Sequence, residues 1–139
     1  MEPIKLIVLG DPRAQKRHRA VRMGGMIRQY DPSASDKADF LSVVQNQAPE
    51  EPFSCPLRVD MIFFFTRPRN HYYTGKRADV LRDNAPEWHT SKSDVDNNVK
   101  AIFDALNKVF WRDDSIICVL TAIKKYSSKP RTEITITPL

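Results

Sequence analysis

Apolar and polar positions change their period several times along the chain, and each change marks an element. Ile4 to Leu9 is an apolar run of strand length closed by Gly10-Asp11-Pro12, which predicts a buried first strand ending in a turn. Arg22 to Arg28 flanks Gly24-Gly25, a pair able to take the positive φ angles of a two-residue hairpin turn. His18, Arg19, Arg22, Arg28 and Tyr30 are expected to line that ribbon. From Ser33 or Ser35 to Gln47, the residues Phe40, Leu41, Val43 and Val44 form a modest apolar stripe, ended by Pro49 and Pro52. This predicts a helix covering one face of a sheet. Leu57 to Thr66 alternates at first and then becomes continuously apolar, as a central strand does where both its faces are covered. Asp60 is expected to be exposed at the open end of that strand rather than catalytic.

Val99, Ile102, Phe103, Leu106, Val109 and Phe110 recur at spacings of three and four. They predict a helix of about 14 residues, roughly 21 Å long. Asp96, Lys100, Asp104 and Lys108 step by four along another of its faces. Ile116 to Tyr126 and Thr132 to Thr137 read as strands, and Ser127-Ser128-Lys129-Pro130 is expected to join them as an antiparallel hairpin. The order β, β-hairpin, α, β, long loop, α, β, β predicts an α+β fold: one mixed β-sheet with two main helices packed on it. At 139 residues, positions 1–139 make a single domain.

Charge adds a direction to this outline. Residues 1–30 carry seven Lys/Arg against Glu2 and Asp11, while the rest of the chain carries as many basic as acidic side chains. The net +5 is therefore all N-terminal, in the basic segment 10–30. Five cations stand within Arg13-Ala14-Gln15-Lys16-Arg17-His18-Arg19, counting His18. Phosphates are their natural partner, so Arg13, Lys16, Arg17, Arg19 and Arg22 are candidate DNA contacts; a solvated basic loop is the alternative. Loop 67–91 mixes cations with Tyr72, Tyr73 and Trp88, and is broken by Pro68, Gly75 and Pro86. Aromatics interleaved with cations can stack on unpaired bases and contact phosphates. Lys76 and Arg77 are its candidate contacts, with a mobile surface loop as the alternative and a short helix expected near Ala78 to Arg82. Cys55 and Cys118 read as buried free thiols of a reducing, cytoplasmic compartment. No run of 18 apolar residues predicts a membrane span, and the N-terminus does not read as a signal peptide.

Ser91 to Ser115 concentrates the chemistry. Asp94/Asp96 and Asp113/Asp114 bracket the amphipathic helix, so they meet only if the chain after Trp111 turns back along it. Converging carboxylates repel one another unless a cation sits among them. Mg²⁺ prefers one or two carboxylates plus waters and phosphate oxygens, and can activate a water for attack on a phosphate. Two structural alternatives stand beside this: Asp94 or Asp96 as a helix cap, and Asp113-Asp114-Ser115 as a polar turn. An EF-hand fits poorly, because Val99 stands where its Gly belongs and Ala105 where its Glu belongs.

Asp94-Val95-Asp96-Asn97-Asn98-Val99-Lys100, then Phe103-Asp104-Ala105-Leu106, then Phe110-Trp111-Arg112-Asp113-Asp114 resembles the signature of the RusA family of Holliday junction resolvases. That signature reads roughly (P/R)-D-x-D-N-L-x-K, then D-A-L, then D-D. The resemblance is tight between Ser91 and Ser115 and looser elsewhere; Ser93 replaces a frequent proline and Asn98 a usual leucine. It implies a small, homodimeric, Mg²⁺-dependent endonuclease of the phage and prophage type, with Mn²⁺ as a substitute ion. Such an enzyme cuts four-way DNA junctions in recombination and repair. The implied metal ligands are Asp94, Asp96 and Asp114 with Asp113 assisting, and the implied essential lysine is Lys100. The exposed part of Phe103 to Trp111 is a candidate dimer surface. A nuclease acting on other branched DNA, and a non-catalytic nucleic-acid-binding protein, are the alternatives.

Overall fold

The computed structural model describes residues 2–16 and 19–139, without the side chains of Arg19, Met23 and Arg28. Arg17 and His18, and the side chains of Arg19 and Arg28, proposed above as DNA contacts or ribbon lining, lie outside the described residues. The elements run β1 (Ile4–Leu9), β2 (Arg19–Met23), β3 (Met26–Tyr30), α1 (Ala34–Val44), β4 (Leu57–Thr66), α2 (Val95–Leu106), β5 (Ile117–Ser127) and β6 (Arg131–Pro138). The fold class is the expected α+β: a mixed sheet ordered β1-β6-β4-β5 carries both helices, and β2-β3 forms a separate two-stranded ribbon. Gly24 and Gly25, at φ +57° and +82°, make the ribbon's turn, the geometry a two-residue hairpin needs.

The core follows from strict alternation in β4. Leu57, Val59, Met61 and Phe63 are fully buried, and Phe65 nearly so. Ile134 and Ile136 of β6 and Leu6 of β1 extend this layer. Val99, Ile102 and Leu106 of α2 and Val44 of α1 close it from above. Each such side chain contributes roughly 1.5–3 kcal/mol through burial. The opposite face of β4 is only partly covered, so its C-terminal half is not apolar-packed on both sides as the sequence suggests. Asp60 on that face is half-buried, bonded by Arg58 Nε at 3.0 Å and by the Thr121 hydroxyl at 2.6 Å.

The expected β5–β6 hairpin does not form. β4 lies between these strands, parallel to β5 and antiparallel to β6. The turn chemistry is local, whereas β4 buries more side chains than any other strand and takes the middle of the sheet. Register places Thr66 opposite Ser127, and Phe64 opposite both Lys125 and Arg131, so the turn passes over the end of β4. Two strand spacings are about 9.6 Å, and four residues of extended chain reach about 13 Å. The β4–α2–β5 connection is a parallel crossover, and it carries the acidic stretch.

Loop 67–91 has no helix at Ala78 to Arg82. Short 3₁₀ turns at Arg69–His71 and Gly75–Arg77 take its place. Its far end docks on the edge of the sheet, where Tyr126 N–H donates to Glu87 C=O at 3.0 Å and His89 N–H to Lys124 C=O at 3.2 Å. His89 is buried against Phe65, ring centroids 3.8 Å apart. Burial, aided by Lys124, lowers its pKa from the usual 6.5. Both cysteines are free, as expected, but Cys118 is exposed and Cys55 half-buried rather than both buried. Among the described residues no helix is long and apolar enough to cross a membrane.

Candidate active site

Asp94 occupies the N-cap position of α2, yet its side chain makes no cap hydrogen bond. Asp94, Asp96 and Lys100 are all exposed. None of the three forms an ion pair among the described residues. Neither a cap hydrogen bond nor an ion pair among those residues holds the two acids there; the helix dipole favours Asp96 in the first turn. Lys100 is one turn beyond Asp96, since a step of four nearly closes a 3.6-residue turn.

α2 ends at Leu106, earlier than expected, and is about 18 Å long at 1.5 Å per residue. Lys108, at φ +71°, turns the chain. Val109 and Phe110 N–H both return to Leu106 C=O, at 3.1 and 3.0 Å. Phe110 and Trp111 are fully buried and Phe103 is half-buried. Asp104 and Lys108 are the exposed members of the 103–111 stretch, with Phe103, Asn107 and Val109 half-buried.

The closing acids play different parts. Asp113 caps the turn Asp114–Ile116: its Oδ2 accepts from Ser115 N–H at 3.0 Å, and Lys108 Nζ lies 3.5 Å from Oδ1. These contacts, Ser115 first, lower the Asp113 pKa. Asp114 is held by the buried indole of Trp111, whose Nε1 donates to Oδ1 at 2.7 Å. Burial raises the Asp114 pKa above the carboxylate's usual 3.8; the Trp111 bond opposes this, and the charges of Asp104 and Asp113 add to it.

The charge of Asp104, in the third turn of α2, thus reaches Asp114, while Asp94 and Asp96 stand at the first turn. Asp104 follows Asp96 by eight residues, about 12 Å along the axis. Among the described residues no three His, Cys, Asp or Glu side chains form a group able to hold a metal ion. One chain by itself thus does not gather Asp94, Asp96, Asp113 and Asp114 into one pocket. The donor chemistry still suits Mg²⁺: hard carboxylate oxygens, two without a partner among the described residues and one burdened by neighbouring acids.

The basic segment reaches the first of these acidic groups. Gln15 N–H donates to Asn97 C=O at 3.0 Å, and Asn98 Nδ2 donates to Arg13 C=O at 3.1 Å. The side chains of Arg13 and Lys16 are exposed beside the first turn of α2, with Arg13 paired to Asp36. Arg22 is exposed on the ribbon. Lys76 and Arg77 stand apart on the long loop, where the Arg77 guanidinium lies 4.0 Å from the Tyr73 ring centroid.

Four contributors escape a reading of the sequence alone: Trp111, which orients Asp114, the Ser93/Asn98 pair, and Lys37. Lys37 Nζ bonds Asp31 at 2.6 Å and Asp104 at 3.0 Å, tying α1 to the turn before it and to α2. Trp111 stands three residues before Asp114 in a short turn, and Ser93 and Asn98 depart from the signature, whereas Lys37 left no signal.

Comparison with known proteins places this arrangement. The chain is 33% identical over 138 residues to an uncharacterized protein, YqaN, of Bacillus subtilis (strain 168), covering 98% of this chain and 96% of that one. It is 26% identical over 129 residues to the crossover junction endodeoxyribonuclease rusA of Lactococcus phage r1t, covering 91% and 89%. The family described as endodeoxyribonuclease RusA matches residues 10–137, a span that holds the basic segment, the helix bearing Asp94 and Asp96, and the closing acids. The chain belongs to the RusA family of endodeoxyribonucleases.

Proposed function

We propose that the protein is a Mg²⁺-dependent, structure-specific endodeoxyribonuclease that resolves four-way DNA junctions as a homodimer. The observation that carries this is the juxtaposition of Asp94 and Asp96, unpaired among the described residues, with a basic segment hydrogen-bonded to the same helical turn. Family membership and the named activity of the phage relative support the junction as substrate.

Asp94, Asp96 and Asp114 would hold the ion. When bound, Mg²⁺ supplies an activated water and offsets charge developing on the phosphate. The chain's own residues do the rest. Arg13, Lys16 and Arg22 bind backbone phosphates and set the register of the DNA. Lys100 offers a point charge to a phosphate oxygen near the carboxylates. Trp111 keeps the Asp114 carboxylate in one orientation, and Asp113 fixes the turn that carries it. A four-way junction has two equivalent strands to cut, which a two-fold dimer meets with two equivalent sites.

The test is cleavage of a synthetic four-way junction with Mg²⁺ and with EDTA. The expected result is paired, symmetric cuts that need the ion, and a loss of at least ~100-fold in Asp96→Asn, as expected for removing an electrostatic catalytic group. Equal cutting of linear duplex, or full activity in Asp96→Asn, would refute the assignment. Preference for flaps in a substrate panel would move it to other branched DNA.

A further inference from the structure

Ser93 and Asn98 are the two departures from the family signature, and in the fold they meet. Asn98 is fully buried on the first turn of α2. Its Nδ2 uses both hydrogens, donating to Ser93 Oγ at 2.9 Å and to Arg13 C=O at 3.1 Å. The Ser93 hydroxyl lies 3.2 Å from the amide oxygen, positioned to donate back. One residue away, Gln15 N–H donates to Asn97 C=O at 3.0 Å. A proline at 93 and a leucine at 98 can make none of the side-chain bonds. The polar residues therefore replace an apolar contact with a linked pair, and that pair grips a backbone carbonyl 85 positions away in sequence.

The gripped segment is also held from its other side. Lys16 N–H donates to the buried Ser33 hydroxyl at 2.8 Å, and Gln15 Nε2 to Asp31 at 2.9 Å. Arg13 to Lys16 is thus strung between the start of α1 and the start of α2 with its cationic side chains outward. Asp94 and Asp96 lie between the two gripping residues in sequence, at the start of α2.

We propose that Ser93 and Asn98 act together as positioning residues. They fix the phosphate-binding segment Arg13–Lys16 against the turn bearing Asp94 and Asp96, so that DNA binding and metal-ligand placement are set by one contact. This rests on the junction-nuclease reading for its consequence, but not for its geometry. Neither residue touches substrate. Leucine at 98 keeps the branched four-atom skeleton of asparagine and favours helix more strongly, so the helix persists while the grip on Arg13 is lost.

The experiment compares wild type, Asn98→Leu, Ser93→Ala and the double variant in three measurements. Amide hydrogen exchange should show the Gln15 and Lys16 amides losing protection in Asn98→Leu while those of β4 keep theirs. Four-way junction affinity in EDTA should fall several-fold, with the log–log salt slope reduced by about one for each phosphate contact released. The Mg²⁺ concentration giving half-maximal cleavage should rise. Ser93→Ala should have a smaller effect than Asn98→Leu and add nothing to it, because the two form one unit. Unchanged exchange at Gln15 in Asn98→Leu would overturn the clamp. Lost protection with unchanged affinity, salt slope and Mg²⁺ requirement would overturn its role. A wild type that cuts no junction would fail the nuclease reading instead, leaving the clamp judged by exchange and binding.

Discussion

At the scale of single residues, Asp114 shows a conflict between stability and function. Burial holds its carboxyl above the usual 3.8, and Asp104 and Asp113 add repulsion. A carboxyl raised in the folded state keeps a proton that the unfolded chain releases at its ordinary value. Stability therefore falls as pH rises through that range, and ionised Asp114 weakens the metal-free fold at pH 7. Asn keeps an oxygen for the Trp111 N–H and removes the charge. Asp114→Asn should raise the melting temperature at pH 7 by about 2–4 °C, the shift that ~1 kcal/mol gives a domain near this size, kept small because solvent screens a half-buried charge. The gain should vanish below about pH 4, where the wild-type carboxyl is protonated as well. Wild type should gain roughly 2.7 kcal/mol from Mg²⁺ at a hundredfold excess over its Kd, and Asp114→Asn should lose most of that. Calorimetry across pH, with and without Mg²⁺, checks both; a less stable variant at neutral pH would contradict the charge argument. The site carboxylates were legible because their signature is local, contained between Ser91 and Ser115. The grip of Ser93 and Asn98 was not, because the atom they hold belongs to Arg13.

At the scale of elements, α1 shows how a weakly amphipathic helix is fixed. Only Val44 of α1 is buried, and Phe40 and Leu41 are partly packed on the core. Lys37 supplies a second hold through Asp31 and Asp104, its side chain 15% exposed. Burial alone would lower the Lys37 pKa, but the bonds to Asp31 and Asp104 outweigh it and raise it above 10.5. The Lys37 bond is likewise the main cause holding Asp31 well below 3.8. By sign, the Asp31 contribution is complete above its unfolded value and lost as pH falls through the folded one. That of Lys37 is complete below 10.5 and lost as pH rises through the raised value. Both are present at neutral pH. Lys37→Met should cost about 1–3 kcal/mol, less than a fully buried pair because water reaches all three groups. It should also flatten the loss of stability below pH 4, which urea titrations at pH 7 and pH 3 would measure. No periodicity announces such a bridge between helices. Strand identity was plain from alternation, whereas strand order depended on β4 displacing the turn-encoded pairing of β5 with β6.

At the scale of the whole molecule, the separation of the acidic groups sets the last test. Asp94 and Asp96 open α2, Asp114 follows its other end and feels the charge of Asp104, and no three acids group within the described residues. Mg²⁺ binds its ligand oxygens at about 2 Å, so a shared ion needs these groups brought together, either within one protomer or across two. In the proposed two-fold dimer, Asp114 of one protomer could serve Asp94 and Asp96 of its partner, or each protomer could build its own site. Subunit mixing separates the two arrangements. Asp96→Asn and Asp114→Asn homodimers should each be inactive. After denaturation and refolding as a mixture, half of the protein should form heterodimers by random assortment. If Asp114 serves the partner, each heterodimer would then hold one site with Asp94, Asp96 and Asp114 all intact, and one lacking both Asp96 and Asp114. Nicking of a four-way junction should return to about a quarter of the wild-type rate, since half the dimers carry one working site of two. Paired cuts within a single binding event should not return. If each protomer builds its own site, every site in the mixture stays damaged and no nicking appears. The same mixing with Asp94→Asn and Asp96→Asn is the control: these two acids belong to one turn, so no arrangement of protomers restores them.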